Sequence, residues 1–427
     1  MLLAVAVLVH LGAFFYSVRY PAVRWMGDTG EYLTAGRNLL EHGVFYSGDL
    51  SVQPLDSSLY SRRPPLYPLF LAVTERFPGG LDATAFLQML LAWGAAWLSY
   101  CTALLLLPAS AHRFAIWVPI ALLLYPTQVI YAQVLMAEIP LQFLLALAAY
   151  GTARFFATRE TAYLWASNAA LALAPLAKPV MLPFWLPNLL FHAWLSWKSR
   201  VRTALAAALL PLVVITAWSL RNLACTGTFH FSSLVANQAK VLVEGLEPLE
   251  ARGKDLGSEY RQAVEKFVRR IGQAPLSFLL AYGRGIASFF LDPGMFDLYE
   301  FLDRAQPFRL GQVLFREKSY SRIFSDLSIG SLLYLTTLLL WNGAVTLGFL
   351  LFLARAHRSG ESRWFLALLV VYMALAVGPI GRSRYRLPVE PLLLVASAAA
   401  FSEHRNIRLR RSRNRGPSHP ERKAHPG

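Results

Sequence analysis

The residues best placed to do chemistry are ionisable groups set in short turns between long apolar runs. Asp28-Thr29-Gly30-Glu31-Tyr32 follows the first run, and Arg62-Arg63-Pro64-Pro65-Leu66-Tyr67 comes about thirty residues later. Glu138 heads a further run after Tyr131-Ala132-Gln133, and Lys178 stands alone between two runs as Ala177-Lys178-Pro179. Arg382-Ser383-Arg384-Tyr385-Arg386 precedes Leu387-Pro388 and the last run. Carboxylates accept protons or ligate cations, while guanidinium and ammonium groups hold anions. An ionisable group at membrane depth is costly and by default marks a functional site.

The elements that must position these residues are membrane-spanning helices. Of 427 residues, 56% are hydrophobic and 15% charged, whereas a soluble domain carries about a quarter charged residues. A soluble globular protein and a disordered chain are both excluded. At about 20 apolar residues per crossing, ten spans are expected, near 1–18, 83–107, 114–131, 136–153, 161–177, 179–197, 203–220, 326–353, 364–381 and 387–402. The run Met1–Val18 has no basic start and no small-residue cleavage site, so it reads as a first transmembrane helix rather than a signal peptide. Within 19–82, Asp28 to His42 and Pro65 to Phe77 read as short amphipathic or interfacial helices.

The predicted organisation is an all-α polytopic membrane protein in four parts. Residues 1–220 form an N-terminal transmembrane module whose first outer loop is 19–82. Residues 221–325 form an extracytoplasmic or interfacial segment with a charged centre, Glu244 to Arg270, and an apolar stretch, Pro275 to Leu291. Residues 326–402 are the C-terminal transmembrane helices, and 403–427 is a basic cytoplasmic tail expected to be disordered. The net charge of +16 supports this layout. With the N-terminus inside, the short cytoplasmic loops and the tail hold 17 of the 41 Lys and Arg but only four of the 25 Asp and Glu. That asymmetry places the ionisable turns on the outer side. Arg19 and Arg24 argue locally the other way and are outweighed.

Taken together, in order and topology, these motifs resemble the GT-C glycosyltransferases that use polyprenyl-phosphate sugars. The likeness is closest to the bacterial branch related to protein O-mannosyltransferases and lipid A aminoarabinose transferases, and it covers nearly the whole chain. It implies a transferase that moves a sugar from a polyprenyl-phosphate donor to a lipid, glycan or protein hydroxyl, with inversion, in a bacterial inner membrane and on its outer side. It places the catalytic base on Asp28, which would take the acceptor's proton as it attacks C1. Arg62, Arg63, Lys178, Arg384 and Arg386 would stabilise the leaving phosphate, with Glu31, Tyr32, Tyr67 and Tyr385 as further substrate contacts. Glu138 matches the family's second-loop acid, which orients the base or helps hold a divalent cation, the candidate cofactor. Two departures stand out. Asp28 is followed by Thr29, not by a second acid as in many metal-holding relatives, and Arg63 stands where some relatives have Lys.

Other readings stay open from the residues alone. Asp28-x-x-Glu31 fits a helix capping box. Arg62 and Arg63 fit snorkelling anchors, Glu138 and Lys178 fit helix-pairing or interface roles, and Tyr67 and Tyr385 fit an aromatic belt. A transporter or flippase of lipid-linked sugars would need ionisable groups in mid-helix and broken, repeated halves, and a membrane scaffold would not need Asp28. Cys101 and Cys225 offer no disulfide framework or metal motif, the histidines have no ligand spacing, and the tail, without interleaved aromatics, fits lipid headgroups rather than nucleic acid.

Overall fold

The computed structural model describes residues 1–199, 202–234, 255–302, 327–356 and 360–413. Among them the chain is helical, with no strand. The helices are α1 (Leu2–Arg19), α2 (Thr29–His42), α3 (Leu66–Thr74), α4 (Leu81–Leu106), α5 (Trp117–Leu124), α6 (Pro126–Tyr131), α7 (Glu138–Thr158), α8 (Thr161–Ala177), α9 (Trp185–Ser199), α10 (Arg202–Ala208) and α11 (Leu210–Thr226). After these come α12 (Leu256–Gln273), α13 (Pro275–Leu291), α14 (Met295–Phe301), α15 (Ile329–Arg355), α16 (Glu361–Val377), the single turn α17 (Ser383–Arg386) and α18 (Glu390–Arg413).

Six stretches are long and apolar enough to cross a membrane among the described residues: α1, α4, α7, Thr203–Thr226, α15 and Glu361–Ile380. Their outward surface is apolar, with Leu8, Phe15, Trp97, Val213 and Leu340 each more than half exposed. Water would penalise such a surface and lipid accepts it, so the chain is an integral membrane protein. The other expected spans are shorter or interrupted. Residues 114–131 divide into α5 and α6 because Tyr125, preceding Pro126, is extended at φ −70°, ψ 124°. Residues 179–184 form a 3-10 turn ahead of α9, and α18 runs on to Arg413, so the basic segment begins as helix. Residues 414–427 lie outside the described part.

The centre of the bundle is α7, buried along most of its first four turns. Small residues let α8 approach it closely. A Cβ on Gly151 would stand 2.8 Å from the Tyr163 carbonyl oxygen, and Thr152 bonds Ser167 across the interface at 2.9 Å. Neutral amides tie other helices in the same way. Gln128 and Gln142 donate reciprocally at 2.8 and 2.7 Å, and Gln142 also donates to the Leu387 carbonyl at 2.8 Å. In hydrocarbon every such polar group needs a partner, so these pairs fix register.

The first loop folds back onto the end of the bundle where α7 begins. Arg24 pins it, reaching Asp82 at the start of α4 at 2.5 Å and Ser17 at 3.2 Å, while its carbonyl accepts from the Leu135 amide at 3.0 Å. Gly36 lets α2 lie against α3, since a Cβ there would stand 2.5 Å from the Pro68 carbonyl oxygen. On the far side of this end, α12 and α13 meet at 103°, and α13 crosses the turn that follows α16. A Cβ on Gly285 would stand 2.0 Å from the Gly378 oxygen, and one on Gly381 would stand 1.9 Å from the Gly285 oxygen. The obstructing atoms are backbone, so the crossing cannot relax cheaply. Gly285→Ala or Gly381→Ala is therefore expected to cost about 1–3 kcal/mol, read as a lowered unfolding temperature of the purified protein, while Gly343→Ala, inside α15 with open space around it, does not lower that temperature.

Candidate functional site

At the end of the bundle gathered by these contacts is a cavity of about 250 Å³. Its polar wall is Asp28, Glu31, Tyr32, Arg62, Arg63, Lys178, Arg384 and Tyr385, and its apolar wall includes Val180, Leu234, Val377 and Ile380. Segments separated by more than 350 residues thus meet at one mouth, each entering from a helix end or a turn.

Asp28 is the residue before α2, reached through Gly27 at φ +45°. Its side chain makes no capping bond. Instead one oxygen lies 2.8 Å from Arg63 Nη2 and the other accepts from Arg384 Nη2 at 3.0 Å. Glu31 likewise turns away from the helix end, accepting from Arg63 Nε at 2.6 Å and lying 3.4 Å from Arg62 Nε. The capping-box alternative is thereby displaced, and helix α2 serves as a platform for two carboxylates. Glu138, wholly buried beneath the cavity, accepts through Oε1 from Lys178 Nζ at 2.7 Å and from Arg384 Nε. Its Oε2 is buried and has no partner among the described residues. Arg63 also lies over the Tyr32 ring at 5.0 Å, and Lys178 over the Tyr385 ring at 5.0 Å.

Four cations therefore face three carboxylates in a largely buried network. Burial alone would push the Asp28 carboxyl up, but Arg63, Arg384 and Lys178 outweigh it and hold the group well below the usual carboxylate range. The donor set does not fit a metal ion. Every carboxylate is tied to an arginine or lysine, a single oxygen of Glu138 is left over, and no group of three His, Cys, Asp or Glu side chains converges among the described residues. A surplus of cations around a small polar cavity suits an anion.

Two of the expected substrate contacts lie elsewhere. Tyr67 is fully buried behind the site, edge-on to Tyr32 at 5.0 Å, and donates to Gln88 at 2.9 Å. Gln88 in turn donates to the carbonyls of Tyr131 and Val134, shaping the turn that leads to Glu138. Arg386 points to the opposite side from Arg384. It pairs with Glu390 at 2.6 Å, donates to the carbonyls of Phe289, Phe290 and Asp292, and bonds Tyr125. It holds the end of α13 and does not line the cavity. The reading from sequence missed the residues that grip Ser383 from α14 and the turn before it, Asp292 and Asp297. The only signal for them was a lone acid within the aromatic run Phe296-Asp297-Leu298-Tyr299.

The fold and the cavity together define an all-helical membrane protein with a buried, arginine-rich site at one end of its bundle. Among solved structures it is similar to ArnT from Cupriavidus metallidurans bound to undecaprenyl phosphate, at 16% identity and TM-score 0.47 over 93% of this chain and 59% of that one. It is also similar to the Archaeoglobus fulgidus oligosaccharyltransferase in the apo form, at 14% identity and TM-score 0.48 over 96% of this chain and 52% of that one. A third is the AglB oligosaccharyltransferase of Archaeoglobus fulgidus in complex with an inhibitory peptide and a dolichol-phosphate, at 14% identity and TM-score 0.45 over 98% and 52% of the two chains. The chain thus spans between half and three-fifths of the length of these proteins. No family model and no curated protein matches the sequence.

Two outcomes follow from the ion network. Glu138→Gln leaves Lys178 and Arg384 sharing a neutral amide in a buried place, with an expected loss of about 3–5 kcal/mol in unfolding free energy, while Glu138→Asp keeps the charge and loses less. The Asp28 carboxyl titrates lower folded than unfolded, so its contribution is fully present above the unfolded value of about 3.9 and is lost as pH falls toward the folded one. The difference in thermal stability between wild type and Asp28→Asn should therefore be constant from pH 8 to pH 5 and shrink below about pH 4.

Proposed function

We propose that this protein is a GT-C-type membrane transferase that moves a glycosyl group from a polyprenyl-phosphate donor to a hydroxyl of a lipid, glycan or protein, with inversion at C1. The observation that carries this reading is Asp28, a carboxylate at the mouth of the cavity bracketed by Arg63 at 2.8 Å and Arg384 at 3.0 Å. In the reaction the acceptor oxygen bonds to C1 and its proton passes to Asp28. The bond from C1 to the phosphate oxygen breaks, its electron pair stays on that oxygen, and the phosphate gains one negative charge. Arg63, Arg384 and Lys178 stand where that developing charge would be stabilised.

The resting network also accounts for how a weak base becomes an effective one. With both arginines on its oxygens, Asp28 has little affinity for a proton. A phosphate bound in the cavity competes for the same guanidinium groups, and each one that turns to it releases Asp28 toward ordinary carboxylate basicity. The site's place at the bundle end supports an outer-side reading. At the other end lie Arg113 in the turn between α4 and α5, Arg154 near the end of α7, Arg159 between α7 and α8, Arg355 at the end of α15 and Arg363 in the first turn of α16, and basic loops stay in the cytoplasm. The paired carboxylates and cations gather at one end of the helices rather than in mid-helix, which favours a transferase over a transporter. No divalent cation enters the scheme, because the donor set does not fit one.

The test is donor consumption by purified protein offered a panel of polyprenyl-phosphate sugars. Asp28→Asn is expected to lower turnover by about 10²–10⁴-fold yet to bind undecaprenyl phosphate at least as tightly as wild type, since it no longer competes for the arginines. Arg63→Ala and Arg384→Ala are expected to weaken that binding. Full turnover by Asp28→Asn would remove the assigned base, and movement of intact donor across the bilayer without glycosyl transfer would point to a flippase.

A further inference from the structure

The arginine that bridges Asp28 and Glu138 is aimed by residues outside the cavity. Ser383 starts the single turn α17, immediately before Arg384. Its backbone N–H donates to Asp292 Oδ2 at 2.9 Å and its hydroxyl donates to Asp297 Oδ2 at 2.7 Å. Asp297, on α14 and 5% exposed, uses its other oxygen to accept from Tyr131 at 3.0 Å. Tyr131 ends α6, at the head of the turn that delivers Glu138. Gly294, at φ +73°, brings this hairpin close, since a Cβ there would stand 2.6 Å from Thr127 Oγ1 and 3.3 Å from Ser383 Oγ. One buried carboxylate thus connects the segment before Glu138 to the residue before Arg384, and neither of its oxygens lines the cavity.

We infer that Asp297 is a positioning residue for Arg384, acting through Ser383 to fix the backbone from which the guanidinium reaches Asp28 and Glu138. The hairpin 292–301 is then part of the anion site although it touches no ligand. The inference rests on the transferase reading only in what Arg384 binds. Removing the carboxylate frees the Ser383 hydroxyl and loosens α17 on one side, while Arg386 still holds the other side through the carbonyls of Phe289, Phe290 and Asp292. The turn should therefore persist with its arginine mis-aimed rather than unfold.

The experiment is a double-mutant cycle on the full chain in nanodiscs, with undecaprenyl phosphate as the probe at pH 8. Asp297→Asn is expected to weaken binding about tenfold in the wild-type background, the worth of one charge-assisted hydrogen bond, and to add nothing in the Arg384→Ala background. Ser383→Ala removes the same bond from the other side and should give the same loss, with no further loss in the double variant. An equal loss with and without Arg384, or no loss at all, overturns the proposal. A readout that needs no ligand decides the matter independently. Backbone hydrogen exchange over 382–386 should rise in Asp297→Asn while 138–158 keeps its protection. A rise throughout the chain would make Asp297 a general stabiliser, and no rise would deny it the role. If the wild type binds no undecaprenyl phosphate, the transferase reading fails while the exchange result still decides for or against Asp297.

Discussion

Arg384 donates to Asp28 and to Glu138 at the same time, and much of the surrounding structure serves to make that possible. The two carboxylates come from different segments, one before α2 and one at the head of α7, and the guanidinium comes from a third. Bringing such groups together at the edge of a membrane strips them of water, a cost of several kcal/mol per ion unless geometry and extra hydrogen bonds repay it. The supporting contacts are correspondingly dense. Arg24 pins the first loop, Gln88 shapes the turn before Glu138, Gln142 holds the Leu387 carbonyl, and Arg386 and Ser383 bracket Arg384 from both sides.

The same network holds the Asp28 carboxyl well below the usual range, which in the proposed mechanism keeps the base quiet until an anion binds. Four cations neutralise three carboxylates, leaving one positive charge and a small cavity open to the outside of the bundle. An incoming phosphate competes with the carboxylates for the arginines that already pair with them. In the proposed mechanism, binding and activation of the base are one event, because the groups assigned to the leaving anion are those that pair with Asp28 at rest. Such coupling would also suppress proton uptake by Asp28 when no donor is bound.

Much of this was legible in the sequence, and the physical reasons differ from residue to residue. Asp28, Glu31, Arg62, Arg63, Lys178, Arg384 and Tyr385 could be singled out because each stands in a turn beside an apolar run, where an ionisable group is costly, although capping, snorkelling and belt roles fitted the sequence as well. Arg386 lies away from the cavity although two residues from Arg384, because in a helical turn side chains two apart point to opposite sides. Tyr67 follows the same motif as Arg63 but falls on the face of α3 that packs inward. Pro119, Pro126, Pro175 and Pro187 blur the span ends in the sequence, but the breaks near Pro126 and at 179–184 could not be located from them. Apolar runs long enough to span do not reveal where a proline divides them. Asp297 left only a faint signal, an acid within an aromatic run, because its contacts with Ser383 and Tyr131 are wholly tertiary.

The competition between phosphate and Asp28 for the arginines can be measured without turnover. The ionisation of the Asp28 carboxyl can be followed by isotope-edited infrared difference spectroscopy, with Asp28→Asn as the blank, in the absence and presence of saturating undecaprenyl phosphate. The expected result is a titration well below the ordinary carboxylate range in the free protein that rises toward about 4 or above when the lipid phosphate binds. A titration that stays where it was, with the lipid demonstrably bound, would contradict the competition on which the proposed mechanism depends.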